Sequence, residues 1–113
     1  MAFDPYDDEV LERPEVKDIF LQASVECFAQ GAGPMIYDSE LAYRRWIFDV
    51  RAIRRPIHLW HGTTDRFVSH DVAKIVADRI PGAVWHEVPN AGHFIAIGEC
   101  ERIYAVAAQE LNA

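Results

Sequence analysis

The chain has 113 residues, half of them hydrophobic and 26% charged, which is the composition of one globular domain and excludes a disordered, collagen-like or low-complexity polymer. Its net charge of −7 and pI near 5.1 repel phosphate, so neither nucleic acid nor an anionic membrane surface is an expected partner. No apolar run approaches the roughly 18 residues needed to span a bilayer, and the acidic beginning lacks a signal-peptide layout, so a reduced, cytoplasmic protein is expected.

The opening stretch, residues 1–20, holds seven acids against two bases and reads as a solvated surface or a frayed end. Pro14 then announces a first helix. Val16, Ile19, Phe20, Ala23, Cys27 and Phe28 recur at three- and four-residue steps until Gly31 and Gly33-Pro34 end the pattern. A second helix is expected to start at Asp38 or Ser39, both good caps, with Leu41, Ala42 and Trp46 on one side and Arg44 and Arg45 on the other. Both helices are amphipathic, so each needs something to cover. After Pro56 the pattern changes. Ile57 to His61 is a short, bulky run stopped by Gly62, which suits a strand buried on both faces of a parallel sheet. Ser69 caps a helix expected to turn Val72, Ile75, Val76 and Ile80 inward, and Pro81-Gly82 closes it. A second strand over 83–88, a loop through His93, and a last helix using Ile103, Val106, Ala107 and Leu111 complete a right-handed βαβ-plus-helix unit.

Cys27 and Cys100 lie in apolar, helix-like settings and read as small buried hydrophobes rather than a disulfide or zinc pair. The five histidines show no metal-ligand spacing: His58 and His61 fall on opposite faces of a strand, His70 opens a helix and His86 lies on the second strand. No metal and no cofactor are expected. Trp46, Trp60 and Trp85 read as packing residues, and the arginines from Arg44 to Arg55 as a wet helix face and turn.

Two loops carry the chemistry, because each follows a predicted strand, and open parallel sheets bind ligands beyond the carboxyl ends of their strands. Trp60-His61-Gly62-Thr63-Thr64-Asp65 brings a carboxylate to that rim, and Asn90-Ala91-Gly92-His93 brings an imidazole. Taken alone, Asp65 also fits a turn former and His93 a histidine without a role. Their separation of 28 residues, one helix plus one strand plus two turns, favours a working pair. A carboxylate bonded to Nδ1 fixes the imidazole tautomer and stabilises the imidazolium formed when Nε2 takes a proton.

From Pro56 to Leu111 the chain resembles the C-terminal part of an α/β-hydrolase, whose acid sits in a strand–Gly-x-x-Asp loop and whose histidine follows in a Gly-His loop one αβ unit later. Asp65 and His93 match those positions. The stretch from Phe28 to Val50 is similar to the end of the cap region in bacterial members. The resemblance implies a partial α/β-hydrolase fold, with residues 1–55 a cap-like helical region and 56–113 the C-terminal part of the core. It implies ester or related hydrolysis by a Ser-His-Asp type triad, in which His93 is general base and then general acid, and Asp65 orients it. A nucleophile elbow of the form Gly-x-Ser-x-Gly is not in the sequence; Ser24 lies in a helical pattern, and Ser39 and Ser69 read as caps. The chain is therefore expected to be inactive alone and to meet a small-molecule substrate only when completed by a nucleophile-bearing half. The alternative is a non-enzymatic binding or subunit-interaction module derived from a hydrolase. In either case a second copy, a partner chain or the cap-like helices folded back are expected over the open edge of the first strand.

Overall fold

The computed structural model describes residues 3–112. Its elements in chain order are α1 (Pro5–Leu11), α2 (Pro14–Cys27), α3 (Gly33–Tyr43), a single 3₁₀ turn at Val50–Ala52, β1 (His58–Gly62), α4 (His70–Arg79), β2 (Val84–Val88), α5 (Ile95–Gly98) and α6 (Cys100–Leu111). The class is mixed α/β. Packing groups residues 3–10 with 50–112, and 11–49 form a second unit. The unit bearing the sheet thus takes in residues 3–10 and 50–55, which the sequence places in the cap-like region.

In the larger unit β1 and β2 pair in parallel, with His58 opposite Val84, Trp60 opposite His86 and Gly62 opposite Val88. Because side chains alternate along a strand, His58, Trp60 and His86 share one face. Their rings stack, Trp60 on His86 at 4.0 Å and His58 on His86 at 5.1 Å, with the Arg102 guanidinium of α6 over Trp60. His61 and Trp85 share the other face, where His70 and Lys74 of α4 lie against the Trp85 ring. Helices on both faces are what a parallel pair requires. The buried apolar side chains are Val10, Ala77, Ile80, Val88, Ala91 and Ile95, and half-buried Tyr6 and Trp60 pack onto the last three.

Several expectations are corrected. The acidic start is not a frayed end: residues 5–11 form α1, and while Asp8, Glu9, Glu12, Glu15 and Asp18 are exposed as expected of a solvated surface, Asp4, Asp7 and Val10 are buried. Asp4 accepts the N–H of Tyr6 at 3.0 Å and starts the helix. On α4 the inward face is rotated, so that Ala77 and Ile80 are buried while Val72 and Ile75 are exposed. The face set against the Trp85 ring carries His70 and Lys74, and buried Ala77 follows on the next turn. Ser69 sits at the N-cap but makes no side-chain cap bond. On α6, Ile103 and Val106 are half-buried, whereas Ala107 and Leu111 are exposed, the latter because it lies in the final turn.

In the smaller unit α3 begins at Gly33, with Pro34 in its first turn, so Ser39 is mid-helix and its hydroxyl donates to the Met35 carbonyl at 2.8 Å. Trp46 stacks on Phe48 at 5.3 Å. No residue of α2 or α3 is buried, and Cys27 is exposed rather than a core residue. Within this unit Ile19, Val25, Ile36 and Tyr43 are exposed.

Candidate active site

Both strands deliver their carboxyl ends to one rim, and the following loops are laced together there. Thr63 N–H donates to the Val88 carbonyl, and Thr64 donates to the Ala91 carbonyl through both its N–H and its hydroxyl, each at 3.0 Å. Asn90 N–H donates in return to Thr63 Oγ1 at 2.8 Å. Two residue choices permit this approach. A Cβ on Gly62 would strike the carbonyl oxygens of Ala91 and Gly92. Asn90 has φ of 56°, a left-handed conformation that asparagine tolerates better than most residues.

At this rim Asp65 Oδ2 lies 3.0 Å from His93 Nδ1. Asp65 Oδ1 accepts the N–H groups of Phe67 at 2.8 Å and Val68 at 2.9 Å, an Asx turn that aims the second oxygen at the imidazole. The Asp65 side chain is only 6% exposed. Burial alone pushes its pKa up. The Val68 N–H, the His93 hydrogen bond, the Phe67 N–H and the His93 charge together outweigh burial and hold it below the ordinary carboxylate value. Asp65 is thus a carboxylate and accepts only, so Nδ1 carries the proton and Nε2 is free to take one. The His93 side chain is 42% exposed, with its ring beside Phe67 at 5.0 Å and Phe94 at 5.7 Å. A general base needs this combination of a fixed tautomer, an ionised partner and an accessible second nitrogen.

A second carboxylate enters from α1. Asp7 is fully buried and accepts two backbone N–H groups, that of His93 at 3.0 Å on Oδ2 and that of Phe94 at 2.8 Å on Oδ1. Gly92 faces the same carboxylate, and a Cβ there would collide with it. Asp7 was hidden among the seven acids of residues 1–20. The readable signal was Asp4-Pro5, a cap residue followed by the preferred first helical residue, which marks a helix start.

His61 is buried, with Nδ1 2.9 Å from its neighbour's Gly62 carbonyl and Nε2 3.8 Å from Asp65 Oδ2. His58 Nδ1 and His86 Nε2 are 2.8 Å apart, and His70 Nε2 lies 2.7 Å from Glu87. Among the described residues no three His, Cys, Asp or Glu side chains converge as a metal site, and no helix is long and apolar enough to cross a membrane. The Ser24 hydroxyl is engaged with the Phe20 carbonyl at 2.7 Å, as Ser39 is with Met35. Hydroxyls committed in this way are poorly placed for activation as nucleophiles.

Comparison of the chain with protein-family models, with curated proteins and with solved structures finds no match.

Proposed function

We propose that the chain is a C-terminal segment of an α/β-hydrolase and that Asp65 and His93 are the acid and the base of its triad. The observation supporting this reading is the 3.0 Å approach of Asp65 Oδ2 to His93 Nδ1 between loops of neighbouring parallel strands. In the proposed reaction His93 Nε2 takes the proton of a nucleophilic hydroxyl as that oxygen attacks an acyl carbon, and returns it to the leaving group. Asp65 stays ionised throughout and stabilises the imidazolium between the two steps. The hydroxyl and the donors for the developing oxyanion belong to residues outside this sequence.

Acylation by diethyl pyrocarbonate, mapped by mass spectrometry, tests the reading. His93 should react ahead of the other four histidines, because its ring is exposed and its Nε2 carries the free electron pair. Asp65→Asn should slow that reaction several-fold by releasing the tautomer. Equal His93 rates in the two proteins would sink the assignment.

A second reading, a non-enzymatic interaction module, draws on the uncovered side chains of α2 and α3, such as Val25, which is 74% exposed. Such a module needs no reactive Nε2, so the same experiment separates the two.

A further inference from the structure

We propose that Asp7 is a positioning residue, and that residues 3–10 form a clasp holding the His93 loop in register with Asp65. The inference rests on the reading of Asp65 and His93 as a catalytic pair. It adds a second carboxylate, which touches neither the substrate nor the reacting atoms.

The clasp grips both loops. On the histidine side, Asp7 accepts the N–H groups of His93 and Phe94, which precede α5 and have no carbonyl of that helix to bond. A fully buried carboxylate is tolerated only when its oxygens are satisfied, and these two N–H groups fix the backbone from which the imidazole projects. On the acid side, the Arg66 guanidinium donates to the Phe3 carbonyl at 3.3 Å, one residue after Asp65. The Phe3 ring bridges the two, packing against Phe67 at 5.6 Å and Phe94 at 5.8 Å. Two glycines admit α1: Gly92 leaves room for the Asp7 carboxylate, and Gly98 for the Tyr6 hydroxyl. Charge-assisted bonds to backbone N–H are about twice as strong as neutral ones, so this anchor sets the height of His93 above the sheet, and Asp65 selects its tautomer.

The test is nitrogen-15 and proton NMR of the full chain and of two variants. Asp7→Asn keeps the shape and removes one acceptor, and Gly92→Ala pushes a methyl group into the Asp7 site. In the unaltered chain His93 should show the Nδ1–H tautomer with a slowly exchanging ring proton. Each variant should mix the tautomers and speed exchange of that proton roughly tenfold or more, the factor for losing one hydrogen bond. A fold that is merely weakened keeps the tautomer signature until it unfolds. If the unaltered chain lacks the Nδ1–H signature, the pairing of Asp65 with His93 fails, and the clasp with it. If the signature is present and survives both substitutions, the clasp is overturned and the pair stands. Should neither variant fold, the unaltered chain decides. The amides of His93 and Phe94 should then become exchangeable in the same opening event as the ring proton, and amides exchanging at free-loop rates beside a protected ring proton overturn the proposal.

Discussion

Replacing Gly62 by alanine puts the close approach of the two loops to a quantitative test. A Cβ at this position meets the carbonyl oxygens of Ala91 and Gly92 and lies 2.6 Å from the Ala91 carbonyl carbon. These are backbone atoms, so no side-chain rotation relieves the clash, and β1 must move away from the 90–93 loop. Overpacking of an ordinary core costs about 1–3 kcal/mol. Here the displaced Ala91 carbonyl also loses the N–H and hydroxyl of Thr64, two bonds worth about 1 kcal/mol each. The sum, about 3–5 kcal/mol, is a large share of the roughly 5–15 kcal/mol that holds a domain together. Urea unfolding followed by far-UV circular dichroism measures the change in midpoint. Gly33→Ala is the matched control: a Cβ there meets nothing within 4 Å, and Gly33 lies at the start of a helix, so the change should stay within about 0.5 kcal/mol. A Gly62→Ala midpoint indistinguishable from that of Gly33→Ala would refute the close-approach argument.

Acid should weaken the fold in two stages. Burial, then His58 and Arg102, lower the His86 pKa below the ordinary 6.5. The unfolded chain therefore takes up this proton first, and the contribution of neutral His86 is full above that value and is lost as pH falls through the folded-state pKa. The contribution of Asp65, whose pKa is also lowered, is full above the ordinary carboxylate value of 3.8 and fades at lower pH still. Stability measured against pH should lose the upper step in His86→Gln and the lower one in Asp65→Asn, and unchanged profiles would contradict both assignments. In ester hydrolysis, the purified chain should match its His93→Ala variant, because a base without a positioned nucleophile and oxyanion donors retains little rate; an acyl adduct on any serine would show otherwise. Sedimentation at low micromolar concentration should reveal self-association. Each strand has a partner on one side only among the described residues, and α2 and α3 bury no side chain. A monomer that unfolds cooperatively would mean the chain closes its own core.

What was legible in the sequence was local. Pro14, Pro81-Gly82 and Gly62 punctuate the chain where elements start or stop, and the runs ending at Gly62 and Val88 are strands in parallel register. Asp65 and His93 could be paired from spacing because one αβ unit returns the chain to the same rim, and their 3.0 Å contact follows from that geometry. Helix faces were less readable. Val72 and Ile75 fit an apolar stripe as well as Ala77 and Ile80 do, and periodicity does not say which edge of a wide stripe turns inward.

Residue type and spacing alone determined the β1–α4–β2 order, the shared rim and the approach of Asp65 to His93, since turn chemistry, strand alternation and the length of one crossover are properties of contiguous chain. Tertiary structure decided the burial of Asp7. A carboxylate in an acidic stretch is expected in water, and only backbone N–H groups 86 and 87 residues away make its burial affordable. It decided too that β1 and α6 set the environment of His86, by stacking Trp60 on its ring and bringing the charge of Arg102 near it. Long-range contacts of this kind leave no periodic trace, because the partners lie far apart in the chain and meet only once the elements have packed.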